Sequence, residues 1–103
     1  MWILRTSAAT AKPVTFRLTA GAVKTIGRAK GADIIIDAAL VSRVHCRLEA
    51  RRDGVDVTDL SSTNGTFVNG RRVERATLSN GDHLRVGRVE LMLERSGGRG
   101  SVV

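Results

Sequence analysis

Cys46-Arg47-Leu48-Glu49-Ala50-Arg51-Arg52-Asp53-Gly54-Val55-Asp56-Val57-Thr58-Asp59-Leu60 sets the period of this chain. On either side of Asp53-Gly54, apolar and polar residues alternate, which is the pattern of a strand that buries one face and wets the other. An Asp-Gly pair favours a turn that needs positive φ, so the stretch reads as adjacent strands joined by a tight turn. Val55–Leu60 is among the clearest strands in the chain, with a partial break at Asp59.

Outward from this centre the same period recurs. Val89-Glu90-Leu91-Met92-Leu93-Glu94 alternates with a partial break at Met92. Phe16-Arg17-Leu18, Val23-Lys24-Thr25-Ile26, Thr66-Phe67-Val68 and His83-Leu84-Arg85-Val86 repeat it on shorter scales, and Ile34-Ile35-Ile36 reads as a short buried strand. Asn64-Gly65, Asn69-Gly70 and Asn80-Gly81 sit between such runs, so the chain reads as a succession of hairpins. No segment of a dozen residues holds a helical apolar period, and no internal repeat is present. Many short strands at close spacing predict an all-β fold, a β-sandwich in preference to a barrel. Residues 1–94 form the expected domain, with 7–13 as its first loop, and residues 95–103, rich in Gly, Ser and Arg, form a flexible tail.

Composition narrows the class further. A chain of 103 residues with 42 % apolar content builds one core. Trp2, Phe16 and Phe67 are its only aromatics, so that core is aliphatic. The net charge of +7 comes from 17 Lys and Arg against 10 Asp and Glu, with arginine in excess, and it points to acidic partners. Arginine's planar fork of donors matches a phosphate or carboxylate through paired bonds. Cys46 is the single cysteine, which excludes an intramolecular disulfide and a cysteine-built zinc site and fits a reducing, cytoplasmic compartment. No apolar run approaches the ~20 residues of a membrane span, and the N-terminal residues carry no signal-peptide segment. Asn64-Gly65-Thr66 matches a glycosylation sequon by accident of composition.

Three polar stretches carry the chemistry: Gly27-Arg28, Ser42-Arg43-Val44-His45 and Ser61-Ser62-Thr63-Asn64-Gly65-Thr66. Guanidinium, hydroxyl and carboxamide groups on Gly-supported turns offer many donors and no acid, which suits a phosphate dianion. Gly27 lets the backbone turn at the end of a strand, so that Arg28 projects into a loop crevice as the first phosphate ligand. Ser42 and His45 lie three apart; in an extended segment they face opposite ways and make no nucleophile and base pair. His45 is expected instead to hydrogen-bond backbone and fix the loop that presents Ser42.

In combination, order and spacing, Gly-Arg, Ser-Arg-x-His and Ser-x-x-Asn-Gly-Thr resemble the signature of the forkhead-associated (FHA) domain over the first nine-tenths of the chain. Asp33-Ile34-Ile35-Ile36-Asp37 and Leu78-Ser79-Asn80-Gly81-Asp82-His83-Leu84 are similar to further segments of that family. The resemblance implies a sandwich of about eleven strands whose loops at one end bind a phosphothreonine peptide, with no catalysis and no cofactor or metal. It implies that Arg28 and Ser42 are phosphate ligands, that Arg43 assists, and that Thr63 and Asn64 contact phosphate and peptide backbone. Gly27, His45 and Gly65 take the family's structural positions. In similar domains the third residue after phosphothreonine is read by flanking loops. The apolar Ala38-Ala39-Leu40-Val41 predicts an aliphatic residue there, while Arg71 and Arg72 favour acid.

The reading is therefore an adaptor in Ser/Thr kinase signalling whose partner is a phosphothreonine protein. A phosphate-independent scaffold or oligomerisation module is the alternative, since sandwiches present edges and faces to other proteins. Nucleic-acid binding is motivated by charge alone. Few aromatics for base stacking and no helix for the major groove argue against it. An enzyme lacks support as well: residues 27–31 do not end as a phosphate-binding loop does, and no His-Glu-x-x-His motif is present.

Overall fold

The alternating runs close into a sandwich of two sheets. The computed structural model describes residues 1–6 and 13–96, and among these there is no helix. Eleven strands follow in order: β1 (Trp2–Thr6), β2 (Thr15–Leu18), β3 (Val23–Gly27), β4 (Ile34–Ile35), β5 (Cys46–Ala50), β6 (Val55–Asp59), β7 (Thr66–Val68), β8 (Arg71–Val73), β9 (Arg75–Leu78), β10 (His83–Val86) and β11 (Val89–Arg95). One sheet runs β2-β1-β11-β10-β7-β8 and the other β4-β3-β5-β6-β9. Between them lies a core that is aliphatic as predicted except at Trp2, which is buried in it with Phe16 packed against it; Leu4, Leu18, Ile26, Leu48, Val57, Leu78, Leu84, Leu91 and Leu93 are all buried. Each such side chain contributes about 1.5–3 kcal/mol by leaving water.

The hairpin at the centre of the sequence forms as expected, with Cys46 opposite Asp59 and Ala50 opposite Val55. Its glycine works differently from the prediction. Gly54 is not among the positive-φ residues; instead a Cβ there would stand 2.6 Å from the Leu78 carbonyl oxygen, so glycine permits close packing against β9.

The succession of hairpins is also corrected. Of the Asn-Gly pairs only Asn69-Gly70, at φ 50° and 83°, closes a hairpin, between β7 and β8. Asn64-Gly65 and Asn80-Gly81 instead carry the chain from one sheet to the other. The Ile34–Ile36 run is only half buried: Ile34 and Ile36 face the core, while Ile35 stands exposed on β4, which pairs parallel to β3.

Three strands arise where the pattern predicts none, for physical reasons. β8 and β9 are the outer strands of their sheets, so little of either is buried and the period is faint. In β1, Ile3 stands at a polar position, yet the strand is held between β2 and β11, and the Trp2 indole N–H donates to the Arg51 carbonyl at 2.7 Å. The final strand runs one residue past the Glu94 boundary. Arg95 stacks its guanidinium 4.5 Å from the Trp2 ring and donates its amide N–H to Asn80 Oδ1 at 2.7 Å. Residues 7–12 of the predicted first loop and 97–103 of the predicted tail lie outside the described residues.

Truncating Leu84, which is fully buried at the sheet interface, to alanine is expected to lower the unfolding free energy in urea by about 2–5 kcal/mol. Arg71→Ala on the exposed edge should change it by no more than about 0.5 kcal/mol.

Candidate functional site

Residues 28–33, 36–45 and 60–65 are the connections β3–β4, β4–β5 and β6–β7, and they meet at one end of the sandwich. His45 joins them. Its side chain is fully buried, and its backbone N–H donates to the Ile26 carbonyl at 2.8 Å while its carbonyl accepts from Leu60 N–H at 3.0 Å. The Ser42 amide donates to Nδ1 at 3.0 Å, and Nε2 lies 2.8 Å from the Gly65 carbonyl oxygen. An amide can only donate, so Nδ1 is the acceptor and the ring proton sits on Nε2, donated to Gly65. One neutral imidazole thus ties the second loop to the third.

This arrangement corrects one premise of the sequence reading. The Ser42–His45 segment bends at Arg43 and Val44 rather than running extended, and the imidazole does approach Ser42. It reaches the amide and not the hydroxyl. Both ring nitrogens are occupied by backbone partners, so neither is left to take a proton from Ser42 Oγ.

The predicted residues converge around this link. Arg28 N–H donates to the Ser42 carbonyl at 2.9 Å, and Arg28 Nε donates to the Val41 carbonyl at 3.0 Å. Its terminal nitrogens remain for a ligand. The Thr63 amide donates to Ser42 Oγ at 3.0 Å, which leaves the Ser42 O–H and the Thr63 hydroxyl for a ligand. Asn64 Nδ2 donates to the Leu40 carbonyl at 3.1 Å, leaving Oδ1 for another donor. Arg28, Ala29, Lys30, Gly31 and Arg43 line a cleft of about 430 Å³.

Electrostatics favour an anion there. Among the described residues, none of Arg28, Lys30 and Arg43 lies within 4.0 Å of a carboxylate. Asp33, at the end of the first loop, accepts from the Thr25 amide at 2.9 Å and from its hydroxyl at 3.2 Å. The Thr25 amide above all holds that carboxyl below its ordinary range.

Gly27 allows the loops to approach. A Cβ at this position would stand 2.0 Å from the Arg43 carbonyl oxygen, an impossible contact with backbone. Only glycine lets the end of β3 lie under the Ser42-Arg43 turn.

Sequence reasoning missed the support beneath the third loop. Asp59 Oδ2 accepts the Ser62 amide at 3.1 Å, and Oδ1 accepts the hydroxyls of Ser62 and, at 2.7 Å, of buried Thr66. Ser62 Oγ in turn accepts from Gly65 N–H at 3.0 Å. Burial alone would raise the Asp59 carboxyl, but the bonds from Ser62 and Thr66 outweigh it and hold the group below its ordinary range. The Asp-x-x-Ser spacing of an acid that accepts from the backbone further along is the signal that marks this brace. Leu40 was legible only as apolar. It sits at φ 71°, a strained conformation for a branched residue, with its carbonyl bonded to Asn64 and its backbone against Gly87 of the β10–β11 turn.

The FHA domain family profile matches residues 24–87. The chain is 44% identical over 79 residues to the ABC transporter ATP-binding/permease protein Rv1747 of Mycobacterium tuberculosis, a match covering 77% of this chain and 9% of that protein. It is similar to the FHA domain of CT664 from Chlamydia trachomatis at a TM-score of 0.86 and 26% identity, covering 93% of this chain and 98% of that one. It is also similar, at a TM-score of 0.79 and 27% identity, to a domain solved in a study of phosphothreonine-dependent FHA domain interactions, covering 93% of this chain and 97% of that one. The chain spans less than half the length of the curated relatives it matches.

Gly27→Ala is expected to destabilise the fold by about 2 kcal/mol or more through the clash with Arg43. Asp59→Ala should cost about 1–3 kcal/mol at pH 7 by stranding the groups it accepts from. Because the folded Asp59 carboxyl lies below its ordinary 3.8, its contribution is full above that value and is lost as pH falls through the folded value. The stability gap between wild type and Asp59→Ala, read by urea unfolding, should therefore narrow below about pH 3.8.

Proposed function

The chain belongs to the FHA domain family, and from that premise we propose that it is a non-catalytic phosphothreonine-peptide recognition module. The observation that carries this reading is the convergence of the loops bearing Arg28, Ser42, Arg43, Thr63 and Asn64 on one end of the sandwich, where Arg28, Lys30 and Arg43 line a cleft and, among the described residues, have no carboxylate within 4.0 Å.

Each residue has a chemical task in this reading. The Arg28 guanidinium, held in place through Nε, takes phosphate oxygens with its terminal nitrogens. Ser42 and Thr63 add hydroxyl donors, and Arg43 adds a second guanidinium at the cleft wall. Asn64 spends one amide proton on Leu40 and meets the peptide backbone with the rest of its carboxamide. His45, Gly27 and Gly65 position these groups without touching the ligand. No helix among the described residues is long and apolar enough to cross a membrane. The reading is of a cytoplasmic adaptor whose partner carries a threonine phosphorylated by a Ser/Thr kinase, and the likeness to a phosphothreonine-dependent FHA domain supports it.

The same geometry refines the flanking preference. Within Ala38–Val41 only Leu40 offers a large exposed apolar surface, since Val41 is buried and Ala38 packs on the core. Leu40 is fixed by Asn64, so an aliphatic residue third after phosphothreonine would meet it.

Isothermal titration should show a phosphothreonine peptide binding while its unphosphorylated counterpart does not. Arg28→Ala should weaken the phosphopeptide about ten- to a hundredfold, the worth of one or more charge-assisted bonds. Equal binding of both peptide forms would return the weight to a phosphate-independent scaffold. Salt-steep binding of duplex DNA, untouched by Arg28→Ala, would favour nucleic acid.

A further inference from the structure

The first loop carries a cation that the phosphothreonine reading leaves without a task. Lys30 and Gly31 are the central residues of a turn, closed by the Ala32 N–H donating to the Ala29 carbonyl at 3.1 Å. The turn is anchored on its far side, where Ala32 is buried and the Asp33 N–H donates to the Thr25 hydroxyl at 3.2 Å. Lys30 is thus presented by fixed backbone on the wall of the Arg28–Arg43 cleft. That cleft holds more room than one phosphate uses. Its volume of about 430 Å³ falls in the range of about 300–1,000 Å³ that takes a whole small molecule. A Cβ on Gly31 would meet nothing within 4 Å, so the space beside the turn is open. Among the described residues no acid lines the cleft, and Lys30 has no carboxylate within 4.0 Å. Asp33, the loop's own acid, is engaged by Thr25.

Backbone bonds fix which side of the phosphate Lys30 occupies. Arg28 Nε donates to the Val41 carbonyl at 3.0 Å, the Arg28 N–H to the Ser42 carbonyl at 2.9 Å and the Ala29 N–H to the Arg43 carbonyl at 3.2 Å. The first loop therefore runs in step with the second and away from Leu40, which sets Lys30 on the opposite side of Arg28 and Ser42. Leu40 is the contact for the third residue after phosphothreonine. A peptide crossing the site then brings the residues before its phosphothreonine to Lys30.

From this placement we infer that Lys30, beside the open space at Gly31, forms a carboxylate subsite that takes a glutamate or aspartate preceding the phosphothreonine. The inference rests on the phosphothreonine reading above and deepens it by naming the class of peptide. Arg28 is tied through Nε to Val41, so its guanidinium stays at the phosphate and does not serve a second anion further along the loop. The lysine ammonium is a compact point charge on a flexible stem, which suits one carboxylate where a planar guanidinium suits the phosphate. Because the turn is already held by Ala29, Ala32 and Thr25, pairing orders only side chains, and little of the gain is lost to loop ordering.

The test titrates the full chain with singly phosphorylated threonine peptides that carry glutamate, glutamine or lysine at one of the three positions before the phosphothreonine. At one of these positions the glutamate form should bind about three- to tenfold tighter than the glutamine form, and the lysine form weaker than both. Lys30→Gln should bring the glutamate and glutamine forms within about twofold of each other, and Lys30→Glu should reverse the order so that the lysine form binds best. Lys24→Gln removes the same charge from an exposed position on β3 outside the cleft and should keep the glutamate gain. Equal affinity of the glutamate and glutamine forms at all three positions overturns the subsite, as does a loss of gain in Lys24→Gln as large as that in Lys30→Gln. In either case phosphate binding that depends on Arg28 leaves the first reading standing. If no phosphorylated peptide binds, the first reading and this one fall together.

Discussion

A buried imidazole must find partners for both ring nitrogens, and the way His45 does so constrains the rest of the binding end. An unmade bond at either nitrogen would cost about 1–3 kcal/mol. Ser42 N–H fills one and the Gly65 carbonyl the other, so loops far apart in sequence are held in one register. Three of the candidate ligands are placed through it. Ser42 is placed by the bond to Nδ1, Thr63 by its amide bond to the Ser42 hydroxyl, and Arg28 by the Ser42 and Val41 carbonyls. The binding residues touch one another mostly through backbone, which leaves their charged and hydroxyl ends outward.

Charge is sorted with the same economy. Two carboxylates of the binding end do structural work, Asp33 on Thr25 and Asp59 on Ser62 and Thr66, while among the described residues Arg28, Arg43 and Lys30 have no carboxylate within 4.0 Å. Asp33 and Asp59 hold loop backbone, and the cations line the cleft. Exposed ion pairs among these groups would have contributed little stability and cancelled the field that attracts an anion. Among the described residues, Arg5 pairs with Glu94 across β1 and β11, Arg51 pairs with Asp56 at the β5–β6 hairpin, and His83 Nδ1 lies 2.8 Å from Glu90.

The sequence was most legible where one face of a strand is buried. β5, β6, β10 and β11 read directly from alternation because core burial enforces it. The edge strands β8 and β9 did not, since half-exposed strands tolerate Arg71, Arg72 and Arg75 without any period. Turn residues showed where the chain bends but not which sheet it enters next, so Asn64-Gly65 and Asn80-Gly81 read as hairpins although they are crossovers. In the site, charged and hydroxyl residues stood out by type, whereas Asp59, Lys30 and the strained Leu40 act through geometry that a linear pattern does not carry.

Amide resonances read during titration with a singly phosphorylated threonine peptide test the central claim most directly. The account predicts that the largest shifts fall on Arg28, Ser42, Arg43, Thr63 and Asn64 together, with none from the unphosphorylated peptide. Shifts confined to the sheet faces, or alike with and without the phosphate, would contradict it.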